Sequence, residues 1–391
     1  MPEPIAVYVH TPFCPSKCGY CDFNSYAMQG EIVERTTRAM IRELETSPWR
    51  GTPAKTVFLG GGTPTFLPET LLTELIAAIF DAHPPVPGAE ITSEANPGTV
   101  DVPKFESMRR SGIERISLGA QSFVDSDLKA LDRVHQSGDI ERAVRAARRA
   151  GFDNINLDLM FALPGQTLDG WRANLDRAIE LQPEHLSLYC LTIEPNTRFY
   201  KLHHRGAIRL PSDEAQVAMY DLAVSRAEEA GYEPYEISNF AKPGRQCRHN
   251  LEYWRCADYL GYGPGAVGCF TVPSAGGSAA GGWERYATVP ANPGDRIRYT
   301  VVKHPERYAA AAESGQRLAF ESESLSPESL RLERIMLGLR LTEGVSMSGL
   351  DLDPIAVAEL ERRGWLWAEG NRIGLTRPGR HFCSEAALAL A

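Results

Sequence analysis

No stretch of this 391-residue chain is apolar for anything near the roughly 18–20 residues that a membrane-crossing helix needs. Basic residues are fewer than acidic ones, 41 against 50, and the formal charge is −9. That balance speaks against a protein held to nucleic acid by its phosphates. The opening Met-Pro-Glu-Pro carries neither a basic region nor the hydrophobic core of an export signal. A cytoplasmic chain is therefore expected, with room only for peripheral membrane contact. Cysteine is sparse as well, eight in all. Without an export signal, such cysteines point to a reducing compartment and to metal rather than to bridges. The length suffices for one large domain and a smaller one.

Three of the eight cysteines are bunched. Cys14, Cys18 and Cys21 stand at the spacing Cys-x3-Cys-x2-Cys. Three neighbouring thiols cannot pair among themselves without leaving one over. Converging from one short loop, they suit a cubane iron–sulfur cluster, which a fourth thiolate would complete. No fourth cysteine stands nearby; the next is Cys190, so one iron is left open to an exogenous ligand. A zinc loop is the alternative, but zinc commonly takes four ligands as two separated Cys-x2-Cys pairs. The loop resembles the signature of the radical S-adenosylmethionine (SAM) superfamily. There the open iron is chelated by the amino and carboxylate groups of SAM, and the reduced cluster breaks a sulfonium bond to yield a 5′-deoxyadenosyl radical. The resemblance thus implies a [4Fe–4S] cluster, SAM, and a reductant protein such as a flavodoxin or ferredoxin. In such proteins the cofactor carries the difficult chemistry, while the chain fixes geometry and excludes water.

Hydrophobic periodicity lays out six strand–helix units. Strands are expected at 5–10, 56–59, 90–95, 115–119, 154–160 and 185–191, with helices at 31–46, 68–82, 102–111, 126–131, 137–150 and 167–181. Thr167 is a candidate helix cap. Alternating strands and helices mean a parallel sheet, and near-continuous apolar strands fit burial on both faces. Six units are too few for the eight-unit barrel, so the expected fold is α/β, a partial (βα)6 barrel, which the resemblance also implies. Ligands in such sheets gather at the carboxyl ends of the strands, and the cysteine loop follows the first strand. Another helix is expected from 212 to 230, then an aromatic and glycine-rich stretch to 270, and a mobile Gly/Ala/Ser loop at 275–282. Helices at 327–341, 353–363 and 378–391, with a hairpin across 365–375, resemble a winged-helix-like accessory domain. The division is 1–240, 241–325 and 326–391. The last segment is not notably basic, which argues against DNA binding.

Motifs spread along the chain narrow the resemblance. They are Tyr8-Val9-His10-Thr11-Pro12-Phe13-Cys14, Cys21-Asp22-Phe23-Asn24-Ser25-Tyr26, Gly60-Gly61-Gly62-Thr63-Pro64-Thr65, the run from Leu163 to Thr167, that from Leu188 to Thr197, His249-Asn250-Leu251-Glu252-Tyr253-Trp254, and Gly338-Leu339-Arg340-Leu341. Together they are similar to the coproporphyrinogen-oxidase-like branch, and within it to its heme chaperones. The glycine run reads as a place where backbone without Cβ can approach the methionyl part of SAM. Glu94, Gln121, Arg133 and Asp158 are polar at strand ends that ordinarily take apolar side chains. Glu94 and Asp158 read as acceptors for an ammonium or ribose hydroxyls, and Arg133 as a forked donor to a carboxylate. A salt bridge among themselves, or a helix cap, is the other reading. By the resemblance Tyr8, Tyr20, Gly61, Gly62, Thr63, Glu94, Gln121, Arg133, Asp158 and Val267 occupy SAM-contacting positions.

His249, Asn250, Tyr253 and Trp254 make a second candidate site. A histidine beside aromatics has the elements of an axial heme ligand with a stacking wall, and the resemblance implicates this motif in heme binding. Cys247 and Cys256 are alternative ligands, and a packed aromatic corner with a hydrogen-bonded histidine is the competing reading. His10 is expected to orient the cysteine loop, and His203-His204 to lie in a solvated loop. Cys190, Cys269 and Cys383 are expected as buried small hydrophobes.

Two departures separate the chain from the anaerobic oxidase. That enzyme follows its third cysteine with Gly-Cys-Asn, where this chain has Asp22-Phe23-Asn24, and it has a longer extension before the first strand. Both point away from propionate decarboxylation and toward a protein that binds heme and passes it to an acceptor protein. An oxygen-independent coproporphyrinogen III oxidase, and a class C radical methyltransferase or cyclopropanase, are the alternatives. No motif in the sequence marks a catalytic residue.

Overall fold

In the computed structural model, which describes residues 3–273 and 282–391, the six expected units are present. They run β1 (Ile5–Thr11), α1 (Glu31–Glu45), β2 (Ala54–Gly61), α2 (Glu69–Ala82), β3 (Pro85–Ala95), α3 (Val102–Arg110), β4 (Arg115–Gln121), α4 (Asp125–Ala130), α5 (Ser137–Arg149), β5 (Ile155–Phe161), α6 (Leu168–Glu180) and β6 (His185–Cys190). The strands pair in parallel in chain order, with Val7 opposite Val57, Val57 opposite Ile91 and Leu118 opposite Leu157. Local chemistry explains the helices. The Thr167 hydroxyl accepts from the Gly170 amide at 3.1 Å, capping α6 as expected. One turn in, Trp171, Leu175 and Ala178 line the buried stripe. In α5, Gln136 and Asp139 form a reciprocal capping box ahead of buried Ile140, Ala143, Val144 and Ala147.

The sheet extends past this unit at both edges. After β6 come α7 (Arg198–His204), α8 (Asp213–Glu229), β7 (Glu233–Pro234), β8 (Asn239–Ala241), α9 (Arg248–Trp254), β9 (Tyr259–Tyr262), β10 (Val267–Thr271), β11 (Arg296–Val301), α10 (Pro305–Ser314) and β12 (Ala319–Leu325). β9 adds in parallel to β1, with Val7 opposite Leu260, and β10, β11 and β12 follow antiparallel. β8 and β7 add antiparallel beyond β6. The result is a twelve-stranded open sheet, and the expected irregular stretch up to residue 270 is in fact helix and strand. These strands are two to seven residues long, and β11 alternates buried and half-buried positions, a weaker pattern than the apolar runs of β1 to β6. His203 and His204 lie exposed at the end of α7 rather than in a loop. Cys190 is exposed, contrary to expectation, because β6 emerges from the core at its last two residues. The expected loop at 275–282 lies outside the described residues except for Gly282.

Beyond β12 stand α11 (Pro327–Gly338), β13 (Val345–Ser346), α12 (Pro354–Arg362), β14 (Leu366–Glu369), β15 (Arg372–Leu375) and α13 (Cys383–Leu390). Three short strands, in the order β13, β15, β14, pack with these helices around Ile335, Leu339, Leu360, Ile373 and Leu390. This core is separate from the large one under the main sheet.

Glu43 of α1 is buried where the β9–β12 extension and α10 pack on α1. It accepts hydrogen bonds from the Gly263 amide at 2.8 Å and from the Tyr286 and Tyr308 hydroxyls. Burial pushes its carboxyl up to about 7, and the three donors pull it back only in part. The folded chain therefore holds a proton that the unfolded chain has lost between the ordinary carboxyl value and about 7. Wild-type stability falls as pH rises through that window. Glu43→Gln removes the titration, so chemical denaturation from pH 5 to 8 should show the variant gaining on wild type, by up to ~3 kcal/mol. A pH-independent difference would contradict the buried acid.

Candidate functional site: a thiol-lined cavity and an adjoining apolar cleft

The cysteine loop is held by backbone and by a histidine. The Tyr8 hydroxyl donates to His10 Nδ1 at 2.8 Å, and His10 Nε2 donates to the Asn24 carbonyl at 2.9 Å. That tautomer is neutral, and burial lowers the imidazole to about 4. His10 thus orients the loop, as expected. Asn24 in turn donates to the carbonyls of Pro264 and Lys303, tying the loop to the β9–β10 side of the sheet. At the loop's far side the Gly19 amide donates to the Leu131 carbonyl, and the Gly19 carbonyl accepts from the Phe199 amide.

The glycine run docks on this loop. The amides of Gly62 and Thr63 donate to the carbonyls of Thr11 and Phe13, both at 2.7 Å. A Cβ on Gly62 would stand 2.6 Å from the Phe13 carbonyl oxygen. One on Gly61, whose φ is +107°, would strike the His10 ring at 2.5 Å. The absence of Cβ is thus accounted for by the chain's own close approach, whatever ligand also comes near.

Around the loop and the glycines lies a cavity of about 130 Å³. Cys14, Cys18, Cys21, Tyr20, Gly61, Gly62, Thr63, Glu94, Gln121, Arg133 and Asp158 all line it. Burial raises the Cys14 and Cys21 thiols, and neighbouring cysteines add to the effect. The Thr63 hydroxyl donates toward Cys14 Sγ at 3.4 Å, and Arg133 toward Cys18 Sγ at 3.7 Å. Such thiols gain most from a metal that takes them as thiolates. Among the described residues no three His, Cys, Asp or Glu side chains are grouped as around a single ion. A cubane takes each thiolate on a different iron, so three cysteines from one loop can serve it.

Glu94 accepts from the Gly61 amide at 3.0 Å. Burial first, and Asp158 second, push its carboxyl up to about 8. Asp158 is also raised by burial, and it accepts from Asn156 Nδ2 at 2.8 Å and Ser117 Oγ at 3.1 Å. The two acids do not pair with Arg133, whose guanidinium donates to the Gly119 carbonyl at 2.7 Å. Gln121 closes β4 with φ +63°, a strained value for a non-glycine residue that aims its side chain into the cavity.

The other expected residues lie to one side. Tyr8 and Val267 line a larger cleft of about 750 Å³ with Tyr253, Trp254, Cys256, Tyr259 and Met336, and it meets the thiol-lined cavity at Gly61, Glu94 and Phe23. Tyr253 and Trp254 come from α9, which the Glu90 carboxylate caps by accepting from the Arg248 and His249 amides at 3.0 and 3.1 Å. His249 faces away from the cleft. It is 1% exposed, Nδ1 bonds to Thr56 Oγ1 at 2.8 Å and Nε2 to the Tyr253 hydroxyl at 2.9 Å. Burial lowers it to about 3. With both ring nitrogens engaged, His249 is the hydrogen-bonded histidine of a packed aromatic corner in this structure. Axial ligation by its imidazole, the first reading of the motif, is not offered by this geometry. Cys247 is likewise buried, against Glu90, whereas Cys256 lines the cleft. Asn250 faces the barrel lumen.

Glu90 and Arg340 carry roles that the motifs did not reveal. Arg340 stacks on the Trp254 ring at 4.4 Å and pairs with buried Glu236 at 2.8 Å. Glu90 was within reach of a period-two reading, since it shares a strand face with Glu94.

An open parallel sheet with three cysteines on the loop after its first strand defines a radical SAM protein. Residues 8–178 match the Radical SAM superfamily model, and residues 325–382 match the HemN C-terminal domain. Membership of that superfamily implies a [4Fe–4S] cluster and SAM. More narrowly, the chain belongs to the HemW family. It is 37% identical to the heme chaperone HemW of Bacillus subtilis over 97% of both chains. It is 34% identical to that of Mycobacterium tuberculosis over 97% of this chain and 92% of the relative. The Escherichia coli heme chaperone HemW is 43% identical over 69% of this chain and 71% of its own. The fold matches that of the E. coli coproporphyrinogen III oxidase HemN, a radical SAM enzyme, with a TM-score of 0.80 over 100% of this chain and 90% of that one at 20% identity.

Gly62→Ala should force the cysteine loop off the glycine run, because the atoms in the way are backbone. The expected result is a loss of about 1–3 kcal/mol with defective iron–sulfur reconstitution. Wild-type stability and cluster content would show that the clamp is unimportant.

Proposed function

We propose that this chain is a heme chaperone, which takes up heme in the apolar cleft beside the thiol-lined cavity and hands it to an acceptor protein. The observation that carries this reading is the cleft itself. It is faced by the aromatic residues of the His-Asn-x-x-Tyr-Trp segment and by Val267, Met336 and Leu337. Ligand sites are characteristically such concave, mostly apolar spaces with a few polar groups. Tyr253, Tyr259, Cys256 and Cys269 are among the groups on its wall able to meet an iron, and Trp254 supplies a flat face.

Cys14, Cys18 and Cys21 hold the [4Fe–4S] cluster, and SAM lies against Gly61, Gly62, Thr63, Tyr20, Glu94, Gln121, Arg133 and Asp158, with Tyr8 and Val267 at its cleft side. Bound there, the pair supplies one-electron chemistry, fed by a reductant protein. Glu94 sheds its proton to meet an ammonium, so uptake of SAM strengthens as pH rises toward 8. Gln121 and Arg133 position the remaining polar groups, and Asp158, held by Asn156 and Ser117, accepts from hydroxyls. Among the described residues no helix is long and apolar enough to cross a membrane. The chaperone works in the cytoplasm, in passing contact with an acceptor.

Hemin titrated into the anaerobically reconstituted protein should give a saturable Soret band, weakened in Trp254→Ala. His249→Ala should leave the band's position unchanged while lowering stability. A moved band in that variant would mean that α9 opens to bring the imidazole onto iron, and no saturable band would end the chaperone reading. Cys18→Ala should abolish the broad iron–sulfur absorbance; a retained four-iron cluster would refute the ligand assignment.

A further inference from the structure

A cation sits on the floor of the barrel lumen, outside the roles described so far. Arg115 opens β4 and is 2% exposed, and its Nε is sealed from solvent without a partner. No carboxylate among the described residues forms an ion pair with it at 4.0 Å or less. The negative or polar groups whose fields reach it are Cys247, Glu90, Tyr235 and Asp158. Each is already engaged. Glu90 caps α9 and accepts from Cys247 Sγ; Asp158 accepts from Asn156 and Ser117; the Tyr235 hydroxyl donates to His185 Nε2 at 2.9 Å. A buried guanidinium that forms no ion pair, and whose Nε has no acceptor, is an unfavourable arrangement for a core to hold.

Arg115 lines a cavity of about 280 Å³ together with Ser117, Asn156, Ser187, Tyr189 and Asn250. That cavity shares Tyr8, Glu94 and Tyr253 with the apolar cleft, so the two adjoin. It is much smaller than the cleft, and its walls are polar. A planar two-oxygen anion matches the fork of a guanidinium, and hydroxyl and amide donors stand around it. Glu94 and Asp158 also border the cavity, which disfavours a dianion such as phosphate.

We propose that Arg115 receives a propionate of the porphyrin whose macrocycle occupies the cleft, the acid arm passing between Tyr8, Glu94 and Tyr253. This rests on the heme reading above. It makes the lumen floor an anchor that selects a tetrapyrrole by its acid side chains, while the cleft selects it by its flat apolar body.

The test compares hemin with hemin dimethyl ester, titrated optically into the anaerobically reconstituted full chain, as wild type, Arg115→Met and Arg115→Lys. Wild type should bind hemin roughly tenfold or more tighter than the diester, the scale of a charge-assisted hydrogen-bonded pair. Arg115→Met should bind both about equally and weakly, and Arg115→Lys, which keeps the charge but not the fork, should fall between. SAM affinity by equilibrium dialysis should be unchanged in both variants. If esterification weakens wild type and Arg115→Met by the same factor, the propionate lies elsewhere and the proposal fails, while heme binding stands. If Arg115→Met loses SAM instead of hemin, the carboxylate is that of SAM and the proposal fails. Should wild type bind neither porphyrin, the heme reading falls and the anchor with it. Should Arg115→Met not fold, the ester comparison in wild type and Arg115→Lys decides: a fork-dependent gap supports the anchor, and an equal gap in both overturns it.

Discussion

Two amides and one imidazole hold this molecule's chemistry in place. The strand-end amides of Gly62 and Thr63 clamp the cysteine loop at Thr11 and Phe13, and His10 spans from Tyr8 to Asn24. Remove the clamp and three thiols on the nineteen-residue loop between β1 and α1 have no fixed relation to the sheet. With it, each thiol is placed against the carboxyl ends of β1 to β5, where Glu94, Gln121 and Asp158 point inward. Asn24 carries the same restraint across to Pro264 and Lys303, so the loop also registers the added strands that wall the cleft. Both cavities therefore inherit their geometry from one set of short backbone contacts.

Charge in the lumen is arranged by depth. Nearest the thiols, Glu94 is held protonated near neutrality by burial and by Asp158. Asp158, on the same cavity wall, is partly stabilised by two neutral donors, and four residues deeper on β3 Glu90 is fully employed by the amino end of α9. Arg115 lies among these acids without touching any of them. Pairing it directly would have neutralised the floor; leaving it unpaired keeps a donor fork that only an incoming acceptor satisfies. A buried cation without an ion-pair partner, facing a polar cavity, is costly enough to call for a ligand.

The six units were legible because buried parallel strands write themselves as apolar runs between capped amphipathic helices, as with Thr167 before Trp171 and Leu175. The cysteine spacing was legible for a different reason: it encodes ligand chemistry directly, independent of the fold. What escaped is non-local. β9 follows a seven-residue helix and owes its place to pairing with β1, some 250 residues earlier. His249 could be read either as a ligand or as a packed histidine, because sequence displays its aromatic neighbours but not Thr56, which comes from β2 and bonds to Nδ1 while Tyr253 bonds to Nε2. Arg115 and Glu90 were hidden in strands that had already been read as core, although alternation puts them on the faces of Gln121 and Glu94.

The His-Asn-x-x-Tyr-Trp helix is best understood as a wall with a second lobe leaning on it. Its amino end is fixed by Glu90, and its middle by the His249 bond to Thr56. At its carboxyl end Trp254 lies under Arg340, which belongs to the Gly-Leu-Arg-Leu motif of the C-terminal lobe and is held by Glu236, itself bonded to Ser238 and Asn239. Met336 and Leu337 of that lobe's first helix complete the cleft. A ligand between Trp254 and α11 would thus touch both lobes at once. Release to an acceptor need not unfold the barrel, since the lobe is joined to it mainly by side-chain pairs, Arg340 with Trp254 and Glu236, Arg255 with Glu343, Arg298 with Glu333 and Arg377 with Glu228, and these lie outside the parallel ladder that carries the cluster.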